Sequence, residues 1–119
     1  MKIYLDDVRT PKDKDWMVVR NYHEFVNLVQ KLGLKNIGTI SLDHDLGDSA
    51  MTEYHTNVSP NFKLSYENIT EKTGYDCAKW LVTYCAERKI KHPPYIVHSL
   101  NSVGKLNIEA YIDSYNKTL

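Results

Sequence analysis

Asp6 and Asp7 close a short apolar run, KIYL, and Asp43 and Asp45 close another, ISL, with Asp48 close behind. Carboxylates crowded in this way repel one another unless they cap turns at the surface or share a cation. A third apolar run, YIV, opens into His98, Ser99, Leu100 and Asn101. Carboxylate oxygens are hard ligands that suit Mg2+, Mn2+ or Ca2+, while His44 and His98 leave room for a transition metal. Arg9, just past the first acid pair, carries a planar guanidinium that fits a phosphate or balances the acids. A cation held beside an anionic group is the chemistry this set could support.

Each group also has a plainer use. An acid pair after a strand can serve a turn or a helix cap, and Arg9 a surface salt bridge. Asp48 next to Gly47 is turn chemistry. Ser99 is placed to cap the last helix, with Asn101 as its N-cap. The functional reading therefore rests on several strand ends agreeing.

The elements that must position these residues follow from the hydrophobic pattern. Lys2 to Asp7 reads as a buried strand ending in solvent, followed by a polar loop around Pro11 and a short strand at Met17 to Arg20. Asn21 is an N-cap with Glu24 completing a capping box. The helix behind it turns Phe25, Leu28, Val29 and Leu32 to one side and stops at Gly33. Ile37 to Leu42 is the third strand. From 46 to 72 the periodicity disappears, with Pro60 in the middle, so an irregular insert is expected there. Tyr54, His55 and Tyr66 are its candidate contact residues. A second helix runs from Thr73 to about Lys89 with Cys77, Ala78, Leu81 and Cys85 inward. Pro93 and Pro94 break it, Tyr95 to Val97 is the fourth strand, and a last helix carries Leu106, Ile108, Tyr111, Ile112 and Tyr115.

The sum is an α/β, Rossmann-like chain with a four-stranded parallel sheet and three main helices. Helices on both faces would make a three-layer sandwich. In such folds ligands bind beyond the carboxyl ends of the strands. A strand order of 2-1-3-4 makes the first and third strands neighbours, bringing Asp6 and Asp7 toward Asp43 and Asp45. In strand geometry Asp43 and Asp45 share a side and His44 points away.

The 119 residues make one domain, 1–119, around one site. Fifteen basic and fifteen acidic side chains cancel, so bulk charge argues for neither a nucleic acid nor a membrane partner. The N-terminus meets Asp6 too early for a signal peptide, which points to a cytoplasmic protein. Cys77 and Cys85 lie about 12 Å apart on one helix, too far for a disulfide.

The set LDDVRTP, SLDHDLG, TGYDCAKWL and VHSLNSVGKLN, in this order across nearly the whole chain, resembles the cyclic-phosphate processing receiver-like family, a shortened relative of response-regulator receiver domains. The resemblance implies a receiver-like core with acidic metal-binding positions at Asp6, Asp7, Asp43 and Asp45, and a polar motif at His98, Ser99 and Asn101. Ser102 departs from the proline often found there. An ordinary receiver also has a fifth strand and a late lysine, which this chain lacks, and that shifts the balance from a switch toward an enzyme. The expected activity is divalent-metal-assisted hydrolysis of a cyclic phosphate or related phosphoester, with Mg2+ or Mn2+ favoured over Ca2+. Asp43 would be nucleophile or metal ligand, His98 would protonate the leaving oxygen, and Asn101 and Arg9 would orient the phosphate. The competing expectation is a non-catalytic receiver-like module that binds a phosphorylated ligand or partner protein.

Overall fold

The computed structural model describes residues 1–119. Strand β1 spans Lys2–Leu5, β2 Trp16–Val19, β3 Thr39–Leu42 and β4 Tyr95–Val97. All pair in parallel in the order β2-β1-β3-β4. The register sets Leu5 against Leu42 and Leu42 against Val97, so the residues just past these three strands are lateral neighbours.

Three long helices, α1 (Tyr22–Leu32), α4 (Gly74–Arg88) and α5 (Ser102–Asn116), carry the packing. Their ends are chemically marked. Asn21 caps α1 by accepting the Glu24 amide at 2.9 Å. Glu24 bonds the Arg20 amide rather than that of Asn21, so the expected box is only half formed. Thr73 and Asp76 form a complete capping box on α4, and Asn101 caps α5.

One core joins the helices to a single sheet face. Ile3, Leu5, Ile40 and Leu42 are fully buried against Phe25, Val29, Leu81, Ile108 and Ile112. The alternate residues Tyr4, Trp16 and Val18 are only half-buried, and Ile96 is exposed. The α/β class and sheet order are those expected, but the second helical layer is not built. No helix joins β1 to β2, and the crossovers from β2 to β3 and from β3 to β4 advance in the same direction. Right-handed connections then place both helices on the same side.

The segment from 46 to 72 differs from the irregular insert expected. It contains α2 (Asp48–Glu53), a π-helical turn (Tyr54–Val58), α3 (Ser59–Asn61) and a 3-10 turn (Tyr66–Asn68). Polar groups organise it, which explains the missing hydrophobic period. Buried Glu53 accepts from the Ser65 amide at 2.8 Å and from the Asn57 and Asn68 side chains at 2.9 Å each. Glu71 accepts the Ala50 amide at 2.8 Å at the start of α2 and also bonds the Ser49 hydroxyl. Pro60 lies in α3 directly after the π turn, where Val58 and Ser59 keep helical backbone. No helix of the chain is long and apolar enough to cross a membrane.

Candidate functional site

Sheet hydrogen bonds continue one step past the strands and fix the backbone of the site. The Asp6 amide bonds Val19 O at 3.1 Å, the Asp43 amide Leu5 O at 3.0 Å, and the His98 amide Leu42 O at 2.9 Å. Asp6, Asp43 and His98 thus stand side by side, with one ligand atom from each within 4.8 Å of the others.

Asp6 is fully buried and saturated. Its Oδ1 accepts the Val8 and Arg9 amides at 3.0 and 2.7 Å, and its Oδ2 accepts Nε of Arg9 at 2.8 Å. Burial pushes its carboxyl up, but these amides, His98 and the Arg9 charge outweigh burial and hold it below the ordinary carboxylate range. Arg9 also reaches Asp43, with Nη2 at 3.6 Å from Oδ1. Arg20 anchors the loop through Asp6 O at 3.1 Å and Arg9 O at 2.6 Å.

Asp43 is the perturbed acid. Burial first, and then repulsion from Asp6, push its carboxyl up to about 6, against the pull of Arg9, the His44 amide and Ser99. Asp7 is also raised, by burial and by its acidic neighbours Asp6 and Asp45.

Both ring nitrogens of His98 are engaged. Its Nε2 lies 3.1 Å from Asp6 Oδ2 and its Nδ1 lies 2.7 Å from Ser41 Oγ. The small Ser41 side chain lets the imidazole lie across the sheet and stack on Tyr4 at 4.3 Å. Burial lowers its pKa, partly countered by Asp6. In this arrangement His98 braces Asp6.

Asn101 is engaged in the same way. It is fully buried, its Oδ1 accepts the Gly104 amide at 2.8 Å, and its Nδ2 donates to Asp45 Oδ1 at 3.1 Å. The two ends of the amide cap α5 and hold Asp45.

Asp45 is gripped from a second side by fully buried His44. Nδ1 of His44 lies 2.7 Å from Asp45 Oδ1, and Nε2 lies 2.9 Å from Tyr66 OH. With Asp45 as acceptor, Nδ1 carries the proton and Nε2 accepts from the tyrosine, whose oxygen accepts Asn107 Nδ2 at 3.1 Å. Both ring nitrogens of His44 are thus engaged, Nδ1 by Asp45 and Nε2 by Tyr66. Two glycines permit this arrangement. A Cβ on Gly74 would stand 1.8 Å from Asp43 O, and one on Gly104 would stand 2.3 Å from the His44 ring.

What faces solvent is a cavity of about 190 Å3 lined by Asp7, Arg9, Asp43, Asp45 and Ser99, with Val8, Met51, Tyr54 and Leu100. Tyr54 lines it, Tyr66 instead pins the insert to the body, and His55 is exposed. Ser41 was legible as a polar break in an apolar strand, whereas Met51 sits in the aperiodic segment that offered no signal. Asp48 is exposed at the first position of α2.

Ligand atoms of Asp6, Asp43 and His98 come within 4.8 Å of one another, a spacing that a single divalent cation could span. There Arg9 already neutralises Asp6, and Asp6 and His98 are bonded to each other. Asp7, Asp43 and Asp45 line the cavity, with the Arg9 guanidinium 3.6 Å from Asp43. Asp43 belongs to both sets, and Asp7 and Asp45 are the further carboxylates that a cation held at Asp43 could meet.

No curated protein and no solved structure matches the chain. The profile of the cyclic-phosphate processing receiver domain matches residues 1–114. With the parallel β2-β1-β3-β4 sheet and acids at the ends of β1 and β3, this match places the chain in the cyclic-phosphate processing receiver domain family.

Proposed function

We propose that the chain is a metal-dependent phosphoesterase acting on a cyclic phosphate or related phosphoester. The observation that carries this reading is the joint lining of one cavity by three carboxylates, a guanidinium and a hydroxyl: Asp7, Asp43, Asp45, Arg9 and Ser99. Carboxylates suit a hard cation, and a guanidinium with a hydroxyl suits the phosphoryl oxygens.

Asp7, Asp43 and Asp45 would hold Mg2+ or Mn2+, which when bound polarises a phosphoryl oxygen and acidifies water. Arg9 keeps part of its fork for the substrate, since Nη2 meets only Asp43 at 3.6 Å and His98 O at 3.4 Å. Asp43, buried beside Asp6 at the cavity, would take a proton from the attacking water and pass it to the ester oxygen released as the P–O bond breaks. His98 and Asn101 act one step back, fixing Asp6 and Asp45.

The test is a screen of cyclic phosphates and phosphomonoesters with Mg2+ or Mn2+, comparing wild type with Asp43→Asn. Turnover in the wild type and a loss of at least about a hundredfold in the variant are expected. Equal background rates in both proteins would remove the enzyme reading. Metal-dependent phosphate binding without turnover would instead identify a non-catalytic receiver-like module.

A further inference from the structure

The cavity floor is charged, but its rim is apolar. Val8 is 77% exposed, Leu100 is 74% exposed and Met51 is 38% exposed, and all three line the cavity with half-buried Tyr54. They come from three separate segments: the loop after β1, the loop after β4, and the α2 segment with its π turn. Exposed apolar side chains scattered singly need no explanation, but a convergence around one acidic cavity does. π turns inside helices also occur frequently at functional sites.

The charge of the floor narrows what can enter. Asp6, Asp7, Asp43 and Asp45 bring four negative charges against one from Arg9 in direct contact. A single divalent ion would leave the floor near neutral or still acidic, so each further negative charge on a ligand is disfavoured. Size narrows it again. A volume of about 190 Å3 equals roughly six waters, enough for a phosphoryl group and the near edge of one ring.

Resting on the phosphoesterase reading, we infer that the site selects singly charged phosphodiesters that carry a flat, uncharged ring. The phosphate meets Arg9 and Ser99, and the ring lies against Tyr54 and Met51 with Val8 and Leu100 closing the rim. Polyphosphates and doubly charged monoesters are poor ligands. The α2 segment thereby acts as the specificity wall of the site, and Tyr54 is its principal residue, since an aromatic face stacks on a ring of any identity.

The test uses three probes with the full chain and Mn2+ at pH 8: diphenyl phosphate, dimethyl phosphate and phenyl phosphate, titrated by NMR, with the phosphorus signals confirming that each stays intact during the titration. Diphenyl phosphate should bind about tenfold more tightly than dimethyl phosphate, the return on burying about 55 Å2 of ring. It should also exceed phenyl phosphate, which carries the same ring and a second charge. In Tyr54→Ala and in Met51→Ala, both at solvent-reached positions, the diphenyl to dimethyl ratio should fall toward one. Equal binding of the two diesters by the wild type, or a ratio that neither variant moves, overturns the inference and leaves the phosphoesterase reading standing. Failure of every probe to bind, with no stabilisation by Mn2+, removes both.

Discussion

Nε of Arg9 lies 2.8 Å from Oδ2 of Asp6, and the carboxylate it holds is fully buried while the guanidinium is 43% exposed. This pair places a fixed positive charge where a bare acidic cluster would otherwise stand. Arg9→Ala leaves Asp6 with His98 and two amides, so the metal-free protein should lose about 1 to 2 kcal/mol, a loss tempered by solvent screening. Stabilisation by millimolar Mg2+ should then be larger in the variant than in the wild type, because a cation can replace the lost charge. Thermal melts with EDTA and with Mg2+ check both statements, and an unchanged Mg2+ response would count against a cation site here.

Asp43 makes the metal-free fold pH-dependent in a direction opposite to most carboxylates. Its folded value near 6 lies above its ordinary 3.8, so the folded chain binds the proton more tightly than the unfolded chain. Its contribution is most favourable below the ordinary value and is lost as pH rises through about 6. Asp43→Asn keeps the oxygen that accepts the His44 amide and removes the charge. In EDTA the variant should gain on the order of 2 kcal/mol over the wild type at pH 8, shrinking toward nothing near pH 4. Urea unfolding at both pH values measures it, and a variant less stable than wild type at pH 8 would refute the raised carboxyl.

Gly104 and Gly74 are close-approach positions, and the difference between them is testable. Alanine at Gly104 meets a fully buried His44 ring at 2.3 Å, which can retreat only by breaking its bonds to Asp45 and Tyr66. A loss of about 2 to 3 kcal/mol is expected. Alanine at Gly74 meets backbone, Asp43 O at 1.8 Å, and should cost more or abolish folding. At Gly38 an added Cβ meets only Met1 O at 3.7 Å, so Gly38→Ala is the control that should unfold near the wild-type urea midpoint.

Tyr66→Phe removes the hydroxyl that joins buried His44 to Asn107. The orphaned His44 nitrogen should cost about 1 to 3 kcal/mol. Amide exchange of residues 66–72 should accelerate more than that of α4, since this contact ties the insert to the body. Uniform acceleration along the chain would mean the tyrosine is only one more core contact.

Much of this was legible because it depends on local rules. The β4 strand, Gly33 at the end of α1, and the caps Asn21 and Asn101 follow from short-range chemistry, as do the start of the helix near Thr73 and the inward face of α4. The ordering of β1 beside β3 followed from topology and placed Asp6 next to Asp43. What resisted reading lay in pairings between distant polar groups. Glu53 and Glu71 fold the insert through hydrogen bonds that leave no hydrophobic period. His98 and Asn101 have the right types for chemistry, but Ser41, Asp6, Asp45 and Gly104 occupy their polar atoms. Those partners are far away in sequence, and residue type alone does not show which atoms stay free.

The bond from His98 to Asp6 joins positions 92 residues apart. It nearly spans the chain, linking the first strand to the last one laid down. Closing so large a loop is entropically slow, and β3 must come between the two strands first. The cavity is thus a late product of folding, formed only when all of β1, β3 and β4 are in register. A ligand that grips it would act as a clasp on the whole chain, slowing global unfolding rather than stiffening one loop.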